Sequence, residues 1–287
     1  VNPAMADAMG STPDAILGRT DRELFAAETA ELLRRLDADA VSVGCAARDE
    51  VEVLLHRRRR HLAIVVVPLA GADGEVVGTV LVARDVTDAV ARRRERERLV
   101  EQTTSALART IELADPYLLG HSRRMARLAG DLARLAGLSD AEAETARIAA
   151  ALSQIGKVFV PREILTKPGR HDEAERAAMR RHVDHALAIL RDVDFDLPVA
   201  DAIAQMHERL DGTGYPAGLH DGQISAVGRI LAVADVFCAR TRPRGYREAV
   251  PAAEAIGRMR EHPERYDTAV VEMLASLAEV QGLVDLD

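Results

Sequence analysis

Apolar positions follow two different rhythms along this chain. Across residues 29–43, Leu32, Leu33, Leu36, Ala40 and Val43 recur at near-helical spacing. Val51, Val53 and Leu55 then alternate with charged or polar neighbours, and the runs His61 to Leu69 and Val76 to Ala83 are rich in Val and Ile. These three runs predict strands, with Ala70-Gly71-Ala72-Asp73-Gly74 as a hairpin turn between the last two. Ahead of them, short apolar segments punctuated by Gly10, Pro13 and Gly18 predict small capped helices.

From about residue 117 the rhythm is helical throughout. Leu128, Leu132 and Leu135 lie near one helix face, with Gly137 as the stop. Ser139 and Glu142 form a capping box for a helix carrying Ile148, Ala149 and Leu152. Lys167-Pro168-Gly169 marks a turn, and Asp172 with Glu175 opens a helix running to Leu190. Pro198 starts another that ends near His207, Ile224 to Ala239 forms a long apolar helix, and two short helices follow Pro251 and Asp267. The pattern predicts an α+β domain over residues 1–88 and an all-α bundle over residues 115–287.

Residues 89–114 between them read as one charged helix. Arg92-Arg93-Arg94-Glu95-Arg96-Glu97-Arg98 is a solvated helix face; it lacks the aromatic or glycine interleaving of a nucleic-acid patch. Val100, Leu107, Ile111 and Ala114 follow at spacings of seven, four and three, a short a/d seam that predicts a parallel dimer through this linker.

Composition adds bounds. The chain has 287 residues, enough for two ordinary domains, and 48% are hydrophobic. Only 3% are aromatic and Trp is absent, so the cores must be built from Ala, Leu, Val and Ile. A net charge of −8 speaks against DNA as a partner of the whole surface. Cys45 and Cys238 match no metal spacing, which fits a reducing cytoplasmic compartment. No signal peptide and no membrane-length apolar run is present. The chain opens on Val1, the expectation for a piece of a longer protein.

Within residues 1–88, the order of Val1-Asn2-Pro3, Gly10, Ile16-Leu17-Gly18-Arg19, Pro68-Leu69, Asp73-Gly74, Val77-Gly78 and Asp85-Val86-Thr87-Asp88 resembles a PAS domain. The resemblance starts late and implies a sensor that is N-terminally incomplete here. The reactive Cys of a flavin-binding PAS is missing, and no His stands on the 29–43 helix to hold haem. His56 and His61 read as half-exposed strand residues.

The helical region carries more specific pieces: Gly120-His121-Ser122, Ile155-Gly156-Lys157, Val160-Pro161, Lys167-Pro168-Gly169, and Met179 through His182. They are followed by His207-Glu208-Arg209-Leu210-Asp211-Gly212-Thr213-Gly214-Tyr215-Pro216 and by Arg229 through Phe237. From about Asp115 to Leu277 the chain resembles the HD-GYP family, whose best-known members hydrolyse the second messenger cyclic di-GMP. The resemblance implies an all-α HD-type bundle and a site of two or three metal ions bridged by a carboxylate and a hydroxide, the chemistry that phosphodiester hydrolysis needs.

Carried over residue by residue, the metal ligands fall on His121, His182, His207 and Asp235, and the lysine near the leaving phosphate on Lys157. The His-Asp dyad that gives the family its name reads Ser153-Gln154, and a further family histidine reads Met206. A glutamine amide brings no charge to a cation pair, and Met206 is soft and suited to the core. The remaining ligands leave room for one divalent ion, iron or manganese; the expectation is that no catalytic metal pair binds. Read alone, His121 fits a surface or capping position and His182 a solvated one. Asp235, among small apolar residues, must have a partner.

The 207–216 loop is intact. Gly212 and Gly214 permit unusual backbone, and Tyr215-Pro216 is expected to present an exposed aromatic on a rigid turn. In the family this loop lines the substrate cleft and also serves for docking, which brings in Asp211. Lys167, Arg170, Arg229, Tyr246 and Arg247 are candidates for a cationic rim around a dinucleotide, with helix-end ion pairing as the alternative for Arg229 and Arg247. The expected function is a PAS sensor controlling a degenerate HD-GYP output domain, a homodimer that binds cyclic di-GMP, or a partner such as a diguanylate cyclase (GGDEF) domain, rather than hydrolysing the messenger. The alternatives are an active phosphohydrolase with a reduced metal site and a purely structural dimerisation module.

Overall fold

Side-chain alternation along three strands organises the first of two units into which a computed structural model divides the chain, Val1–Leu99 and Val100–Asp287. The structure describes residues 1–55, 58–115, 118–243 and 248–281. Three short helices, α1 (Pro3–Met9), α2 (Pro13–Ile16) and α3 (Asp21–Leu24), precede α4 (Ala27–Val43). Their starts follow from sequence: Asn2 Oδ1 accepts the Met5 N–H at 2.8 Å, and Thr20 with Glu23 closes a capping box. β1 (Ala47–Leu55), β2 (Arg58–Ala70) and β3 (Val76–Asp85) form an antiparallel meander in the order β1-β2-β3.

Ala47 pairs with Val66 and Val66 with Leu81, so alternate residues of all three strands share one face. On it, Ile64 and Val66 bury against Leu33, Leu36 and Ala40 of α4. Val43, counted on the same helical stripe, is exposed: α4 ends there, and Gly44 closes it in a left-handed conformation. The expected turn at residues 70–74 is present, closed by the Gly71 N–H donating to the Glu75 carbonyl. His61 is a partly buried strand residue, as read; His56 lies outside the described residues.

α5 (Thr87–Ala114) runs through the boundary between the units. Its expected dimer seam divides. Ile111 is buried in the core of the second unit, whereas Val100 and Leu107 stay 38% and 41% exposed. The side chain of Ala114 lies outside the description.

The second unit is helical, as the pattern requires. α6 (His121–Leu135), α7 (Asp140–Leu152), α8 (Arg162–Leu165), α9 (Glu173–Arg180), α10 (His182–Leu190) and α11 (Val199–Gln205) are followed by α12 (Ala226–Arg240), α13 (Ala252–Arg260) and α14 (Thr268–Gln281). The core joins Met125, Ala129, Leu132 and Ala133 of α6 to Ala146, Ala149 and Ala150 of α7 and to Ile230, Leu231, Val233 and Phe237 of α12. Small side chains let these helices approach closely, which an aromatic-poor chain uses in place of large rings.

The capping boxes at Ser139–Glu142 and Asp172–Glu175 are both formed. Two details depart from the expected pattern. Leu135 is exposed, and Met125 and Ala129 complete the buried face instead. The helix expected from Asp172 to Leu190 breaks at Arg181 into α9 and α10. Cys45 is exposed; Cys238 is fully buried, and burial pushes its thiol up to about 12. Among the described residues no helix is long and apolar enough to cross a membrane.

Candidate functional site

Four helices deliver the family-matched side chains to one place. α7 ends at Leu152, and Ser153-Gln154 lead into a 3-10 turn over Ile155–Phe159. That turn lies directly on the start of α10, because residue 156 is glycine: a Cβ there would stand 1.9 Å from the His182 carbonyl oxygen and 2.5 Å from the Ala186 nitrogen. The contact brings Lys157 beside His182. α6 begins at His121, α12 carries Asp235 in its middle, and Met206-His207 follow the end of α11.

The retained ligands form a chain of contacts. His121 Nε2 lies 3.5 Å from Asp235 Oδ1, and Asp235 Oδ2 lies 3.8 Å from His207 Nδ1. His207 Nε2 meets His182 Nε2 at 3.2 Å. His182 Nδ1 faces the Met179 carbonyl at 2.7 Å. A carbonyl only accepts, so the network assigns the His182 proton to Nδ1 and leaves its Nε2 as an acceptor. His207 Nε2 therefore carries the proton that binds the pair. Two imidazole edges that satisfy each other in this way do not both offer lone pairs to a cation.

The dyad position is equally self-contained. The Ser153 hydroxyl donates to the Ala150 carbonyl at 3.0 Å, and Gln154 Nε2 donates to Ser153 Oγ at 3.3 Å, both side chains being buried. Met206 is fully buried in the apolar core. Asp115 is buried with an oxygen 4.0 Å from Lys157 Nζ. Among the described residues, no three His, Cys, Asp or Glu side chains converge to hold a metal ion. The donor set does not fit a carboxylate-bridged cation pair.

Electrostatics match a hydrogen-bonded cluster. Burial holds His182 down to about 3, helped by the charges of His207 and Lys157. Burial likewise holds His207 down to about 4, against the pull of Asp235. For Asp235, burial would raise the carboxyl, but the His121 hydrogen bond and the nearby His207 and Lys157 charges overcome it and hold it well below the usual carboxylate range. Asp235 thus has the partners its apolar surroundings require.

The loop after His207 is anchored from beneath. Glu208, 1% exposed, accepts the N–H groups of Ala217 and Gly218 on Oε1 and of Leu219 on Oε2, at 2.8, 3.1 and 3.0 Å. A Cβ on Gly214 would stand 2.3 Å from the Glu208 Cα, so the loop closes over this carboxylate. Tyr215 is not the exposed aromatic expected. It is half-buried, stacked on the His207 ring at 4.7 Å with 16° between the planes. The Arg180 guanidinium lies 5.1 Å above the same ring, and burial raises the phenol.

The proposed rim is dispersed. Lys167 Nζ binds both oxygens of Glu175 at 2.7 and 2.6 Å. Arg229 is held by Asp221 and Asp267, with further bonds to the Asp221 and Ile224 carbonyls, which is the helix-end pairing rather than an open cationic rim. Asp211 binds Thr213 and Arg265. Arg170 and Pro216 are exposed; Gly212 takes a left-handed conformation against His220. Tyr246 and Arg247 lie outside the described residues. Sequence reading gave no role to Glu208, Gly156, Asp115 or Arg180. The signal for Gly156 was its place beside Lys157; Glu208 and Arg180 find their partners only in three dimensions.

The HD domain family matches residues 105–270, and the PAS fold matches residues 1–91. The 3′3′-cGAMP-specific phosphodiesterase 3 of Vibrio cholerae is 38% identical over 163 residues, 57% of this chain and 35% of that protein. The cyclic di-GMP phosphodiesterase PA4108 of Pseudomonas aeruginosa is 40% identical over 161 residues, 56% of this chain and 39% of that protein. This chain thus spans well under half the length of these curated relatives. Among solved structures, Bd1817, an HD-GYP-type protein from Bdellovibrio bacteriovorus, aligns with a TM-score of 0.48 and 22% identity over 55% of this chain and 51% of that one. With the family matched across more than half its length, the chain belongs to the HD domain family, of HD-GYP type, and carries a PAS fold ahead of the HD domain.

Proposed function

We propose that the helical unit is an output domain that binds a cyclic dinucleotide of the cyclic di-GMP class, or a partner such as a diguanylate cyclase domain, without hydrolysing it. The PAS fold over residues 1–88 acts as its sensor, and residues 89–114 link the two in a cytoplasmic homodimer. The carrying observation is Gln154: the position that must supply an anionic bridge holds a neutral amide bonded to Ser153. The histidines beside it are held neutral by burial and bonded to each other. The names of the relatives support the ligand class, since they act on cyclic di-GMP and cGAMP.

Recognition rests on the intact parts. Lys157 supplies a cation at the floor, and Tyr215 with Arg180 and Arg181 borders an adjoining cleft of about 320 Å³. Guanidinium and aromatic groups together suit a phosphate joined to a base. The test is calorimetry with cyclic di-GMP on the full chain, beside a turnover assay in manganese or ferrous iron. Binding without turnover is expected. Hydrolysis by pure protein that disappears in Asp235→Asn would overturn the reading.

A second reading has its own support. His121, Asp235, His207 and His182 remain in unbroken sequence of contact, so a phosphohydrolase with a single-ion site is the alternative. It requires one tightly held ion per chain in elemental analysis.

A further inference from the structure

A second cleft, of about 620 Å³, runs between the C-terminal half of α5 and α6, with Arg147 and Ala151 of α7 also lining it. None of His182, His207 or Asp235 lines it. Three of its guanidiniums stand out. Arg109 on α5, and Arg123 and Arg127 on α6, have no ion pair or hydrogen bond among the described residues. The two on α6 are four residues apart, which places them as neighbours about 5–6 Å apart on one face. The cleft's other arginines are already paired: Arg134 with Asp131, and Arg147 with Glu144.

The wall offers a second, independent feature. Thr104 and Ser122 line the same cleft, and among the described residues neither hydroxyl is bonded within the chain or buried without a partner, so both oxygens open to the solvent of the cleft. Unpaired donors beside unpaired guanidiniums are complementary to one kind of guest, a compact anion rich in acceptor oxygens. Glu101 and Glu112 also line the cleft. Glu101 is the lesser contributor, since its field acts on Arg147; Glu112 opposes an anion directly.

The geometry points to a binding site for a phosphate monoester or diphosphate group in the α5–α6 cleft. A terminal phosphate carries about two negative charges and three acceptor oxygens, so it can take both α6 guanidiniums and a hydroxyl at once. A phosphodiester, with one charge and two free oxygens, satisfies fewer of these donors. The volume admits an organic portion the size of a mononucleotide. Because its walls come from both helices, the guest ties the last turns of α5 to α6, at the place where the linker enters the helical unit.

Calorimetry on the full chain, with inorganic pyrophosphate and separately ADP as probes at constant ionic strength, tests the site. Saturable one-to-one binding of either probe is expected, weakened at least tenfold in Arg123→Glu/Arg127→Glu and strengthened in Glu112→Gln. Hydrogen exchange across residues 100–112 should slow on binding. The inference is overturned if neither probe binds saturably, or if binding is indifferent to both substitutions. Because the site is separate from Lys157 and Asp235, cyclic di-GMP binding to these variants reports on the proposed function independently.

Discussion

Gln154 shows how much one side chain decides. Where the family dyad has an aspartate, Gln154 brings a neutral amide on a side chain one methylene longer, and here the amide turns to its neighbour Ser153. Restoring the lost donors in Ser153→His/Gln154→Asp/Met206→His should raise manganese content toward two ions per chain, read by elemental analysis, with the unsubstituted protein well below that. Glu208 acts at the same scale. Removing it in Glu208→Ala strands three backbone donors and should destabilise the helical unit by about 3 kcal/mol. The melting temperature should then fall by roughly 6–12 °C. The substitutions at 153, 154 and 206 are legible in sequence because a family pattern names the missing types. The role of Glu208 is not, since its partners are backbone groups nine to eleven residues away and carry no side-chain signature.

Elements were read well where a local rule applied. Ser139–Glu142 and Asp172–Glu175 announce helix starts because capping is a contact within four residues. The 70–74 turn follows from glycine and aspartate between two β-branched runs. The break at Arg181 has no such mark; α9 and α10 separate because α10 is held against the 156 turn. Gly156→Ala should therefore act on that whole junction. Its Cβ would overlap backbone atoms that cannot rotate away, and a loss of about 3 kcal/mol in urea unfolding is expected. The linker seam is legible only in part for a related reason. Heptad spacing records that a helix has an apolar side, but not whether that side meets a partner chain or, as for Ile111, the chain's own core.

At the scale of the whole molecule, buried histidines couple stability to pH. In protein freed of metal by chelation, His182 and His207 hold their protons less tightly when folded, at about 3 and 4, than the unfolded value near 6.5. Between those limits the unfolded chain binds more protons, so folding stability is greatest above about 6.5 and declines as pH falls toward 4. Asp235 adds a loss in the same direction at still lower pH. Denaturant midpoints across that range should show the decline, and His182→Gln should make it shallower.

The stack of Tyr215 on His207 has an optical consequence. All four tyrosines, at 117, 215, 246 and 266, belong to the helical unit, the chain has no tryptophan, and one of them rests against the histidine cluster itself. Near-ultraviolet dichroism therefore sees tyrosines of one unit only, and a guest that lifts this ring from its imidazole would announce itself without any attached dye.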